Sequence, residues 1–212
     1  MKRILIAIVI LASLPGPVPG AAPGPPPETF AFDAAGNTLE VEVQKAGLFK
    51  AFGHDHRIAA KEFSGRVTLD PDRMENSGVV LKVAAKSLVV MDTDISEKDR
   101  AEIQATLQGD RVLDAARYPE IEFSSTGVSQ VRQVPAGWSV TLAGGLRLHG
   151  QEHEVTLPVT LHREGTEISV EGEVFLLQTD YGITPVKVAG GMVKVQDRLR
   201  IHFVIRARSA AP

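Results

Sequence analysis

The 212-residue chain has no cysteine, which excludes disulfide bridges, thiolate metal sites and lipid attachment through an amino-terminal cysteine. Aromatic residues make up only 5% of it, so any core must rest on aliphatic side chains and glycine. Charge of neither sign prevails: 23 Lys and Arg against 26 Asp and Glu leave a net −3, with no basic stripe to mark a nucleic-acid partner. Long hydrophobic runs are missing too. The apolar stretch Ile4 to Leu14 is too short to span a bilayer. Behind the basic Met1-Lys2-Arg3 it has the length of a signal-peptide core, and cleavage is expected after Gly20. The sequence thus divides into a signal peptide (1–20), a proline-rich leader (21–28) with Pro23, Pro25, Pro26 and Pro27, and one domain (29–209). With the leader removed, no membrane-spanning segment is expected, and the mature chain is placed in the periplasm or outside the cell.

What the domain does have is alternation of period two, the mark of strands with one wet and one dry face. Leu39, Val41 and Val43 interleave with polar residues, as do Phe63, Gly65, Val67 and Leu69, and then Val79, Leu81 and Val83. A longer row follows in Trp138, Val140, Leu142, Gly144, Leu146 and Leu148, succeeded by Val155, Leu157, Val159 and Leu161. Leu199, Ile201, Phe203 and Ile205 end the series, and Gly36-Asn37, Pro71-Asp72, His149-Gly150 and Glu164-Gly165 supply turns between the rows. The pattern predicts an antiparallel meander. One segment departs from it: Ser96-Glu97-Lys98-Asp99 is a capping box, and Ala101, Ile103, Gln104 and Leu107 recur at helical spacing, which predicts a helix over 97–108 covering an end or flank of the sheet. A short turn is expected at Val112 to Ala116, before a strand from Glu120. A strand-rich chain of this size most economically closes into a barrel, because closure removes exposed edges. The fold class is therefore all-β, an antiparallel barrel of about eight strands with one helix.

Catalytic constellations are weak. Ser124-Ser125-Thr126 lies in no glycine-x-serine-x-glycine elbow, and the glycines Gly182, Gly190 and Gly191 form no phosphate loop. Asp180 with Lys187 or Lys194 offers a rim ion pair of little energetic weight. The sequence points to no enzyme and no resident cofactor.

The run Tyr118-Pro119-Glu120-Ile121-Glu122-Phe123-Ser124-Ser125-Thr126, then Gly145-Leu146-Arg147-Leu148-His149-Gly150 and Leu157-Pro158-Val159, resembles the YceI family of secreted polyisoprenoid-binding proteins. Upstream, Gly65-Arg66-Val67-Thr68-Leu69-Asp70, Ser87-Leu88 and Val112-Leu113-Asp114-Ala115 resemble it in order, as does Thr179-Asp180-Tyr181-Gly182-Ile183 downstream. The resemblance covers roughly Phe30 to Arg208. It implies a lipocalin-like barrel around an elongated apolar tunnel that binds an isoprenoid or similar amphiphilic lipid, without catalysis. A barrel of eight strands is wide enough for its own side chains or for one slender ligand, and each buried methylene of a lipid tail gains about 0.8 kcal/mol. Phe63, Val67, Leu81, Phe123, Val140, Leu142, Leu157, Val159 and Phe203 are the candidate tunnel lining; the alternative is that they pack against one another. A homodimer is left open.

Two of the six histidines stand in Phe49-Lys50-Ala51-Phe52-Gly53-His54-Asp55-His56. In an extended stretch His54 and His56 share one face, near a barrel end, where a head group would emerge from the tunnel. Phe49 and Phe52 beside them are either ligand contacts or a plug. The alternative is a small metalloprotein or metal-dependent enzyme, in which His54 and His56 recruit His149 or His153 as further ligands. The plain reading has one imidazole hydrogen-bonded into the loop and the other solvated. His162 and His202 fall on outward strand faces. The full Gly-His-Asp-His run departs from the family pattern and marks a divergent branch.

Overall fold

Strands form wherever the alternating rows run, and in the computed structural model of the chain, which describes residues 26–46, 55–135, 137–188 and 193–209, they make up one sheet. In chain order they are β1 (Glu28–Asp33), β2 (Thr38–Ala46), β3 (His56–Ala60), β4 (Phe63–Leu69), β5 (Gly78–Ala84) and β6 (Leu88–Val90). After the helix α1 (Glu97–Gln108) come β7 (Glu120–Val134), β8 (Gly137–Leu148), β9 (Gln151–Glu164), β10 (Glu167–Leu177), β11 (Lys187–Val188) and β12 (Val193–Ser209). Every pairing is antiparallel, and β12 returns to pair with both β2 and β1, which closes an eight-stranded barrel. The expected fold class is the observed one.

Eight walls arise from more than eight segments because three of the walls are bent strands. β1 with β2, β3 with β4, and β5 with β6 each form one wall broken near mid-height. At each break the inward row changes phase, from Phe32 to Leu39, from Ala60 to Phe63 and from Val83 to Leu88, so the step between inward neighbours is odd there instead of two. The breaks are stitched across: Lys61 N donates to Ser87 O at 3.0 Å, and Ala84 N to Glu62 O at 3.0 Å. At the first bend the Asn37 amide stands in for backbone, donating to Asp33 O and Arg206 O at 2.7 and 3.1 Å and accepting from Arg206 N at 2.7 Å. The β8–β9 hairpin turns through His149 and Gly150, both at positive φ (50° and 75°), the geometry of a two-residue primed turn.

α1 spans the predicted 97–108 and starts at its capping box: Ser96 Oγ accepts from Asp99 N at 3.1 Å and donates to Asp99 Oδ2 at 2.8 Å, and Gly109 follows its last turn. The helix covers a flank. Beyond its pairing with β3, β6 has no strand on its other edge among the described residues, and the Gln104 side chain serves that edge, accepting from Val90 N and donating to Leu88 O, each at 2.8 Å. Gln108 adds a bond to Lys86 O at 2.8 Å, and Arg100 one to Asp92 O at 3.0 Å. The expected turn at Val112 to Ala116 follows, with Leu113 and Ala115 buried under α1's end.

At the barrel's lower end the β4–β5 connection is tied by Asp70, a carboxylate only 1% exposed. It accepts from Arg73 N at 3.0 Å and Asn76 Nδ2 at 3.2 Å, and the Arg73 guanidinium lies 3.3 Å away. Burial pushes the Asp70 pKa up; the Asn76 amide and the Arg73 N–H and charge outweigh it, leaving the group below its ordinary 3.8. The stabilisation is therefore present above that ordinary value and lost as pH falls through the lowered one. Asp70→Asn is expected to lower the urea midpoint at pH 7, and its deficit against the parent to shrink once the pH is taken below 3.8. A deficit equal at both pH values would show that the charge contributes nothing.

Candidate functional site

The inward rows do not fill the barrel. They enclose a cavity of about 260 Å³, reaching from Leu69, Met74 and Leu161 at the lower end to Leu107, Leu113 and Ile183 at the upper. Apart from Gln178 and Ser77, its wall is apolar. At the lower end Phe30, Leu69, Ile168 and Ala207 are fully buried. Its size lies just under the ~300–1,000 Å³ of common small-molecule sites, which suits a slender chain better than a fused ring system. A second hollow, of about 460 Å³, lies outside the barrel against Arg66, Thr68, Asn76 and Ser125. That hollow is open and polar, and offers an apolar ligand little that water does not.

Three phenylalanines explain why the lumen stays open at mid-height. Phe32 and Phe203 pack against both the upper and the lower clusters of buried side chains, and Phe123 against the lower one. Each ring lies over an inward-phase glycine of a neighbouring strand, as seen from where a Cβ on that glycine would fall. On Gly172 it would lie 2.6 Å from Phe203 Cζ, on Gly144 2.7 Å from the Phe123 ring, and on Gly65 it would strike Phe32. Glycine thus makes room for the rings in the wall layer, so they line the lumen without crossing it.

Of the lining expected from sequence, Val67 on β4, Leu81 on β5 and Phe123 on β7 stand on the cavity wall, as do Val140 and Leu142 on β8. Leu157 and Val159 on β9 and Phe203 on β12 join them. Phe63 is buried in the upper cluster but has no place on the wall. Sequence reasoning passed over Phe32, Met74 and Gln178. Phe32 carried a signal in the Phe30-Ala31-Phe32 alternation; Met74 and Gln178 sit in short 3₁₀ turns, where no period marks them.

Phe49, Phe52 and His54 lie outside the described residues. His56 opens β3 at the upper end, where its Nδ1 donates to Asp92 Oδ2 at 2.7 Å, while Asp92 Oδ1 accepts from Arg57 N at 2.8 Å. A carboxylate-held imidazole is how histidine ligands of metals are oriented, but among the described residues no three of His, Asp and Glu gather into a metal-binding group. His149 and His153 are engaged with tyrosines: His149 Nδ1 donates to Tyr181 O at 3.1 Å and its ring meets Tyr118 edge-on at 4.9 Å, while His153 meets Tyr181 at 5.2 Å. His162 is exposed, and His202 lies outward opposite Glu40 and Glu173.

Tyr181 is 1% exposed, and its hydroxyl, though buried, has no hydrogen-bond partner among the described residues. Burial, with the nearby Asp180 charge, pushes that phenol up to about 12. Such an unpaired group costs about 1–3 kcal/mol, so Tyr181→Phe is expected to raise the stability of the lipid-free protein by roughly 1 kcal/mol in urea denaturation. A loss of stability would reveal a partner for the hydroxyl.

A closed antiparallel barrel with an apolar cavity along its axis is a lipocalin-like barrel. The chain belongs to the YceI-like domain family, whose model matches residues 30–207. Its fold is similar to that of BcnA from Burkholderia cenocepacia (20% identity, TM-score 0.66, covering 83% of this chain and 99% of that one). It is similar also to a polyisoprenoid binding domain from Saccharophagus degradans implicated in plant cell wall breakdown (14%, TM-score 0.58, 85% and 98%). A YCEI protein from Campylobacter jejuni gives 13% identity and a TM-score of 0.54, covering 73% of this chain and 85% of that one. At these identities the likeness is one of fold. No curated protein sequence matches the chain.

Proposed function

We propose that this protein is a secreted or periplasmic carrier that holds one isoprenoid chain or similar amphiphilic lipid in the barrel, without catalysing a reaction on it. The observation that carries the reading is the apolar cavity spanning both clusters of buried side chains, with two polar residues on its wall. An empty lumen of this kind forgoes packing contacts, whereas a lipid tail in it gains about 0.8 kcal/mol per methylene. Membership of the YceI-like domain family supports it, as does the polyisoprenoid binding domain from Saccharophagus degradans on the same fold. The reading places Val67, Leu81, Phe123, Val140, Leu142, Leu157, Val159 and Phe203 against the tail, with the head group toward the upper end and His54 and His56. Export rests on residues 1–20 acting as a signal peptide.

The test is native mass spectrometry of untagged, detergent-free protein, with solvent extraction of the same sample. One bound apolar molecule per chain is expected. Bare protein mass, an extract without lipid and no uptake of an added isoprenoid alcohol would together overturn the carrier reading, and elemental analysis reports any stoichiometric metal.

A further inference from the structure

We infer that the outer face of β10 and β12 at the upper end is a docking surface for an anionic lipid bilayer, resting on the carrier reading for its purpose. Phe175 and Leu177 stand two apart on β10 and are 46% and 41% exposed, among the few large apolar side chains so displayed. They flank Leu176, whose side chain lines the cavity from the other side of the same strand. Cations lie along the same edge. Arg198, directly opposite Leu177, places its guanidinium 3.7 Å from the Phe175 ring centre, and further along β12 Lys194 sits directly opposite Lys187 of β11.

Like charges facing each other across a hairpin repel, and neither lysine has an ion pair among the described residues, Asp180 included. The neighbouring acids are occupied or apart: Glu173 and Glu42 hold Arg200 at 2.6 and 2.8 Å, Asp197 binds Thr179 N and Oγ1 at 2.9 and 2.7 Å, and Asp180 is exposed on the adjoining 3₁₀ turn. An apolar pair with Arg198 against it and two lysines without ion pairs further along, on β12 and β11, on a chain of net charge −3, is complementary to acyl chains beneath anionic head groups. Docked there, the barrel brings the upper end of its cavity to the bilayer, so that a lipid passes between them with less exposure to water.

Co-sedimentation with vesicles tests this, using phosphatidylglycerol mixed into phosphatidylcholine against phosphatidylcholine alone. The full protein is expected to bind the anionic vesicles, weakly at high salt, and to leave the neutral ones in the supernatant. Lys187→Glu with Lys194→Glu should lower the partition at least about 25-fold, since each lysine near an anionic surface is worth roughly a factor of five. Phe175→Ser with Leu177→Ser should abolish what remains at high salt. All four side chains are exposed, so thermal midpoint and lipid content should match the parent, which separates failure of docking from failure of the carrier reading. Absence of vesicle binding, equal binding to both vesicle types, or variants that sediment like the parent would overturn the inference.

Discussion

Val155→Phe combined with Val174→Phe is expected to empty the barrel while leaving it folded. Both valines lie on the cavity wall, on β9 and β10, and both pack against the upper and the lower clusters, so the added rings meet at mid-height. Overpacking a filled core costs about 1–3 kcal/mol, but here the rings enter space that is already open. A tail divided by them loses its lower half. Excluding roughly six methylenes removes about 5 kcal/mol, between three and four orders of magnitude in affinity. Displacement of a fluorescent isoprenoid probe measures the loss, and an unchanged thermal midpoint shows that the fold survives. If the double variant keeps its lipid, the ligand is held outside the lumen.

The second large effect is expected at Gly172. A Cβ there falls 2.6 Å from Phe203 Cζ, 2.9 Å from Pro158 O and 3.1 Å from Val159 Cγ1, so Gly172→Val drives the ring off the wall. Valine's higher strand propensity works the other way, yet contact this close decides the sign. A loss of about 1–3 kcal/mol in urea denaturation is expected, with reduced lipid occupancy because the displaced ring enters the lumen. Removing the ring isolates the cause. Phe203→Ala is destabilising alone, but its combination with Gly172→Val should cost less than the sum of the two changes; strict additivity would mean that the ring and the glycine do not interact.

Much of this fold was legible because alternation reports which face a residue takes. The inward rows from Leu39, Val79, Trp138, Val155 and Leu199 stand as read, and Ser96 with Gly109 set α1's ends. Alternation also held an unread signal. The odd steps from Phe32 to Leu39, Ala60 to Phe63 and Val83 to Leu88 are the trace of the bent walls, visible only once neighbouring rows are compared. Long-range partners left no such trace: Asp92 stands 36 positions from His56, and its carboxylate spacing says nothing about the bond they form. Likewise Gly65 and Gly144 read only as members of inward rows, and Gly172 stood in none of the rows, whereas in the barrel all three are the seats of rings. The rim ion pair considered for Asp180 with Lys187 or Lys194 is absent among the described residues, because each lysine faces the other instead.

The Gln104 contacts give the barrel an uneven resistance to opening. Along most of the wall, parting two strands breaks a continuous backbone ladder, whereas at the outer edge of β6 it requires that the twelve-residue α1 release the two Gln104 bonds with those of Gln108 and Arg100. Native-state hydrogen exchange should register this as faster exchange at Val90, whose N–H is held by a side chain, than at Val83 within the β4–β5–β7 ladder. On the carrier reading, a lipid entering or leaving by that edge would wait on the fraying of one short helix, while the rest of the barrel stays closed.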